Sequence, residues 1–314
     1  VNFQSSMNIT VGTALPPVLA VDNRLVIDGE ENDVVIDAGS SSIDQGLVLG
    51  SQFDPITLTY IIVDNVIKNV TLTNFRNGIV VYGNNNTIQN VTVAGPQTTG
   101  VCTDEGERGI IVLGRDTEHT IGNTLINNTI NCYRKGIMLQ SVMGASVTGN
   151  IITQNISEAD LSGSPTFNDA NPCVTAGIEI QGYYTLGAAT ARKNFITNNE
   201  ITSNGFTNPG GGCAASFRSA GIMLSLYGAS PIALDTPAQL NRISGNEITN
   251  NTGDGIYIRQ GADNEIFNNH IARNGNVSIG DPSSDTGNGI ALVCDIGGIS
   301  APVSGNLIYR NTID

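Results

Sequence analysis

Glu179, Tyr257 and Arg259 are the residues of this 314-residue chain whose types and spacing suit chemistry at one site. Glu179 is followed two positions on by Gln181, and Gln140 holds the matching place in an earlier segment; Arg259 stands two positions after Tyr257. A carboxylate serves acid–base or nucleophilic work, while a phenol or a guanidinium suits proton removal and neutralisation of developing charge. Glycoside hydrolysis asks for a second, suitably spaced carboxylate, which Asp235, Asp254 or an insertion residue would have to supply. The simpler role for Glu179 is solvation or a hydrogen bond to an inserted loop. Arg134, Lys135, Arg192, Lys193 and Arg218 are the nearest other basic groups.

A second cluster belongs to cation chemistry. The segment DPSSDTGN offers Asp281, Asp285 and Asn288, the hard oxygen ligands that Ca2+ takes. The spacing matches no EF-hand, and a solvated turn is the competing reading. Nothing else in the sequence requires a cofactor. His119 and His270, the two histidines, are too many repeats apart to share a metal. The sequons at Asn8, Asn155 and Asn276 follow from a composition rich in Asn and hydroxyls and establish no glycosylation.

These side chains need a frame, and a repeat supplies it. Eight segments share one pattern: QGLVLG at 45–50, NGIVVY at 77–82, RGIIVL at 108–113, KGIMLQ at 135–140, AGIEIQ at 176–181, AGIMLS at 220–225, DGIYIR at 254–259 and NGIALV at 288–293. Apolar residues alternate with another position after each Gly, as in a short strand with one buried face. The Gly is expected to permit a sharp bend into the strand. Asn128, Asn150, Asn199, Asn246, Asn269 and Asn306 occupy like positions, each with an apolar residue three before and an Ile two after. Short amides suit bends between strands and can stack as a ladder. The closest spacings, 22 residues from Asn128 to Asn150 and 23 from Asn246 to Asn269, fit one coil of three short strands. Residues 255–275 read as one such coil. The period is two and never 3.6, which excludes a helical solenoid, and an antiparallel sandwich would not return Gly and Asn at matching places. The sequence thus predicts an all-β, parallel β-helix of about eight or nine coils, with adjacent coils about 4.8 Å apart.

Composition agrees. Aromatics make up only 5% and Trp is absent, while hydrophobic residues reach 39% and Gly counts 37. The net charge of −14, without any basic run, excludes a nucleic-acid partner. An anionic polysaccharide would be repelled unless calcium or a local basic pocket intervened. No stretch is apolar and long enough to span a membrane, and the first residues lack signal-peptide character.

The Gly-Ile strands and Asn-x-Ile turns, over roughly residues 25–314, resemble the right-handed β-helix superfamily of pectate-lyase-like and parallel β-helix repeat proteins. The opening residues 9–39 are similar to the first coil of repeat-rich bacterial surface proteins. The resemblance implies right-handed coiling and places any substrate on the outward side of the Gly-Ile strands. The middle outward position there reads Val48, Val80, Ile111, Met138, Glu179, Met223, Tyr257 and Ala291. That row is mostly apolar and is expected to be covered by insertions, or alternatively by a neighbouring protein. The paired-aspartate, NTD, GHG and YGFDPH strings of family enzymes are absent. The superfamily includes lyases, hydrolases, epimerases and non-enzymatic adhesins, so fold alone names no activity.

Residues 1–45 are expected to form an N-terminal cap and first coil, and 46–314 the β-helix proper. The last residues still follow the repeat, which reads as a fragment of a longer chain or an end covered by a partner. Insertions fall around 96–107, 157–175, 205–219 and 275–287. Of the five cysteines, Cys102 with Cys132 and Cys173 with Cys213 lie on one edge of successive coils. Disulfides between them would imply an oxidising compartment and leave Cys294 free; five reduced thiols are the alternative. The leading functional expectation is an extracellular or cell-surface structural or adhesive module, with other copies, neighbouring domains or glycans as partners. The second is a secreted polysaccharide lyase or hydrolase acting at the outward face. A fibre component of a phage or virus is a third.

Overall fold

The computed structural model describes residues 5–13, 15, 24–30, 33–39, 43–49, 64–98, 100–102, 106–114, 120–140, 142–148, 150–153, 156–158, 174–183, 191–208, 218–227, 238–259, 261–275, 287–293 and 303–314. Among these residues all regular structure is strand. The Gly-Ile segments form one eight-stranded parallel sheet, here β1 (Gln45–Leu49), β2 (Asn77–Tyr82), β3 (Arg108–Leu113), β4 (Lys135–Gln140), β5 (Val174–Tyr183), β6 (Arg218–Tyr227), β7 (Asp254–Ile258) and β8 (Ile290–Leu292). The Asn-x-Ile triplets form a nine-stranded and a ten-stranded sheet, and a five-stranded sheet of two-residue strands follows the Gly-Ile sheet in the coil. Every described pair is parallel except the hairpin Gln97–Thr98 with Val101–Cys102. Ile256 pairs with both Ile222 and Ile290, so like residues stack along one axis and the expected parallel β-helix is present.

The core is a set of aliphatic rows. Ile79, Ile110, Ile137, Ile178 and Ile222 from the Gly-Ile sheet meet rows from the other two large sheets, such as Ile196, Ile243 and Ile266, and Ile201, Ile248 and Ile271. The strand glycines serve this packing and not the bend. None of Gly78, Gly109, Gly177, Gly221 and Gly255 has a positive φ. A Cβ on Gly177 would lie 2.6 Å from Ile201 Cγ2 across the core and 2.7 Å from the Gly221 carbonyl oxygen of the next coil. Both the Gly and the following Ile face inward, and the residue before the Gly is left on the outer side.

The bends are made elsewhere, by residues in the left-handed region such as Asn127, Asn198 and Asn268, each placed just before an inward Asn. The inward amides form three ladders. One runs Asn65, Asn86, Asn123 and later Asn194, Asn241, Asn264, Asn306. A second runs Asn128, Asn150, Asn199, Asn246, Asn269, Asn311, and a third Asn204, Asn251, Asn274. Asn306 therefore does not occupy the position of Asn269, as the spacing suggested. The unit Asn-x-Ile-x-x repeats on consecutive sides of the coil, so two Asn five residues apart satisfy the same local pattern and only the coil register separates them.

Candidate functional site

The outward side of the Gly-Ile sheet divides along the axis. Over β1–β4 its middle row is apolar: Val48, Val80, Ile111 and Met138 form a second small cluster with Leu113 and Tyr82 packed against it. Over β5–β7 the row continues as Glu179, Met223 and Tyr257, a single carboxylate beside a further apolar cluster of Ala176, Ala220, Met223 and Tyr257. The row is buried there: Glu179 is 1% exposed, Met223 1% and Tyr257 2%.

Glu179 sits at the middle of β5, directly opposite Met138 on β4 and Met223 on β6. Neither thioether is a donor to a carboxylate, and the side chain reaches diagonally in both directions instead. Its Oε2 lies 2.7 Å from Lys135 Nζ. Its Oε1 accepts from Ser225 Oγ at 2.6 Å and from Gln181 Nε2 at 3.1 Å. Lys135, Gln181 and Ser225 are all buried. Lys135 comes to this side because it precedes the glycine of β4.

Tyr257, on β7, is in the same row as Glu179 but two strands away, with Met223 between. Its ring is buried with Ala176, Ala220 and Met223. Arg259 follows β7 half-buried, and its backbone N–H donates to the Leu224 carbonyl. Gln140, Gln181 and Ser225 pair in register along one outer row. The three expected site residues thus share one face, and the structure adds Lys135, Gln181 and Ser225 as the groups bonded to Glu179. Arg192 and Lys193 lie in and after the five-stranded sheet. Asp254 is tied down: its Oδ1 accepts from Asn288 N at 2.8 Å and Asn288 Nδ2 at 3.0 Å. That is where the one described member of the expected calcium set is found; Asp281 and Asp285 lie outside the described residues. Among those residues no group of three or more His, Cys, Asp or Glu could hold a metal ion.

A second ionic group went unread in the sequence. Glu107, just before β3, receives Arg76 NH2 at 2.5 Å on Oε1 and Arg108 NH1 at 3.0 Å on Oε2. Arg76 also reaches Asp44 at 3.5 Å. The signal available was the charged residue before the glycine of two neighbouring strands, Arg108 and Lys135, which pair in register on the outer side. Close by, Cys102 and Cys132 form the expected disulfide, with Cα atoms 5.0 Å apart. Cys173, Cys213, Cys294 and His119 lie outside the described residues.

A family profile described as a right handed beta helix region matches residues 61–314. No curated protein matches the sequence. Among solved structures, the mannuronan C-5 epimerase A-module of Azotobacter vinelandii is similar with a TM-score of 0.55 at 14% identity, over 100% of this chain and 78% of that one. A Dettilon tailspike protein is similar with a TM-score of 0.45 at 17% identity over 99% of this chain; the chain spans 55% of the tailspike, about half its length. A double mutant of a periplasmic alginate epimerase gives a TM-score of 0.35 at 14% identity, over 92% and 76%. At these identities the likeness is one of fold.

Proposed function

The chain belongs to the right-handed β-helix family, and from that premise we propose that it is an extracellular or cell-surface protein that processes a polysaccharide at the outward face of β4–β7. The observation that carries the reading is the buried pair of Glu179 and Lys135. Burying two charges costs about as much as their attraction returns, and apolar residues of like volume generally serve stability as well. Buried, oriented charge on the face of a fold is more economically explained by a ligand.

Uronate elimination fits the groups better than hydrolysis. The middle row has one carboxylate, Glu179, whereas the two-carboxylate mechanisms need a second at a set distance. Lys135 is paired with Glu179, and Arg259, half-buried after β7, supplies the cation that meets a uronate carboxylate on a chain of net charge −14. Tyr257, as its phenolate, is the group that takes the proton beside the uronate carboxylate; that C–H electron pair forms the C=C bond as the bond to the glycosidic oxygen breaks, and the departing oxygen takes the proton from the Tyr257 hydroxyl, leaving an unsaturated sugar. The A-module of the mannuronan epimerase is built on this fold. The disulfide agrees with an oxidising compartment, and no described helix is long and apolar enough to cross a membrane.

The test is turnover. The protein is incubated with a panel of uronate-containing and neutral polysaccharides, with and without Ca2+, and unsaturated products and reducing ends are followed. Unsaturated product from at least one uronate polymer is expected. Unchanged polymer throughout would remove the enzymatic reading. The second reading, a rigid adhesive or spacing module that meets other copies or glycans, rests on the apolar, self-covered row of β1–β4. Glycan retention without turnover favours it.

A further inference from the structure

Glu179 does not hold itself in place, and its restraints come from three successive strands. Its two direct neighbours across the sheet are methionines. The carboxylate is instead fixed from β5 by Gln181, two residues on and on the same side, and from β6 by Ser225, which is Gln181's own partner in register. Both donors converge on Oε1. Oε2 is thereby turned toward β4, where Lys135 Nζ stands 2.7 Å away. Without the two donors a buried glutamate has several rotamers, and the geometry of its ion pair with Lys135 would change with it.

We propose that Ser225 and Gln181 are positioning residues: they set the direction of the Glu179 carboxylate and, through it, the place of the Lys135 ammonium on the polysaccharide-facing side. The role rests on the polysaccharide reading above. Orienting partners of this kind act on reaction geometry more than on affinity, and their removal typically costs about 10- to 100-fold in function. Ser225 is the sharper of the two, because its hydroxyl lies 2.6 Å from the carboxylate while its removal takes away a single buried oxygen.

The experiment compares the full chain with Ser225→Ala, Ser225→Thr and Glu179→Gln, using the uronate polymer that the parent converts. Ser225→Ala is expected to lower kcat by about tenfold with KM changed less than about twofold, and Ser225→Thr to restore most of kcat. A urea midpoint is read alongside for Ser225→Ala in the parent and in the Glu179→Gln background. A larger shift in the parent background is expected, because the bond is then made to the charged carboxylate. Parental turnover with an unchanged kcat for Ser225→Ala, or a loss carried by KM, overturns the positioning role and leaves the polysaccharide reading standing. An equal midpoint shift in both backgrounds also overturns it, since Ser225 then acts through packing alone. A parent that converts nothing overturns the polysaccharide reading first, and the positioning role with it.

Discussion

At the scale of single residues the molecule separates groups that hold a bend from groups that hold charge. Leu240 is in the left-handed region at φ 55° and 45% exposed, at a corner where Asn85 and Asp263 stand on other coils. A left-handed Leu costs about 1–2 kcal/mol relative to a relaxed backbone. Leu240→Asn is therefore expected to raise stability by about 0.5–1 kcal/mol in denaturant unfolding. Asp28 and Asp37 act at the first coils. Burial alone would raise the Asp28 carboxyl, but Lys68, the Glu30 N–H and the Asn69 amide outweigh it and hold it below the ordinary value of 3.8. In Asp37 burial is likewise outweighed, by Asn74, the Gly39 N–H and Thr73. A depressed folded value means stability that is present above the unfolded value and lost as pH falls through the folded one. Unfolding measured from neutral to acid pH should show that loss, and Asp28→Asn should shrink it. His270 has the opposite sign. The hydrogen bond to Glu247, then that to Asp314, raises the imidazole above 6.5. Its contribution is present below the ordinary imidazole range and fades as pH rises through the raised folded value. Histidine NMR titration should show a raised midpoint that falls in Glu247→Gln.

At the scale of elements, the ladders and the disulfide carry the order. Asn246 Oδ1 accepts from Asn199 N at 3.0 Å and Asn199 Nδ2 at 2.9 Å, and its own Nδ2 donates to Ile196 O at 2.9 Å. That Nδ2 also donates to Asn269 Oδ1 at 2.9 Å, so Asn246→Ala removes four bonds in the buried interior and is expected to cost about 3 kcal/mol or more. Asn311 makes the same bonds to Asn269 and Ile266 from a half-buried position, where water can replace them, so Asn311→Ala should cost about 1 kcal/mol. Urea unfolding of the two variants distinguishes interior from edge. The Cys102–Cys132 bond closes 30 residues, and the chain-entropy relation puts its worth at about 3–4 kcal/mol. Reduction, or replacement of both cysteines by Ser, should lower stability by about that amount.

At the scale of the whole molecule, the fold was open to reading because a solenoid writes its architecture once per coil. The eight Gly-Ile strands and the Asn-x-Ile turns gave parallel direction and stacking, but the coil of three strands was short by one, since the five-stranded sheet is built of two-residue strands with no repeating motif. The ladders were read only in part, since Asn264 and Asn269 differ by five residues within one local pattern and register alone tells Asn306 from Asn311. The role of the strand glycines was misread because the clash with Ile201 or Ile248 arises across the core, between residues distant in sequence. The candidate site was half legible. Alternation put Glu179 and Tyr257 on one outward row, but solvent or an inserted loop was the simpler partner read for Glu179. The partners are diagonal: Lys135 and Ser225 lie 44 and 46 positions from it in the chain, and the first reaches the face only because a glycine interrupts the alternation.

The central claim is that sugar meets this protein on the outward face of β4–β7. The most direct measurement is the crystal structure of the Glu179→Gln protein with an oligosaccharide of the polymer that the parent converts. A sugar on the outward side of β4–β7, within hydrogen-bonding reach of the half-buried Arg259, is the predicted result. A sugar seated on the outer side of the nine- or ten-stranded sheet, with Arg259 unvisited, would contradict it.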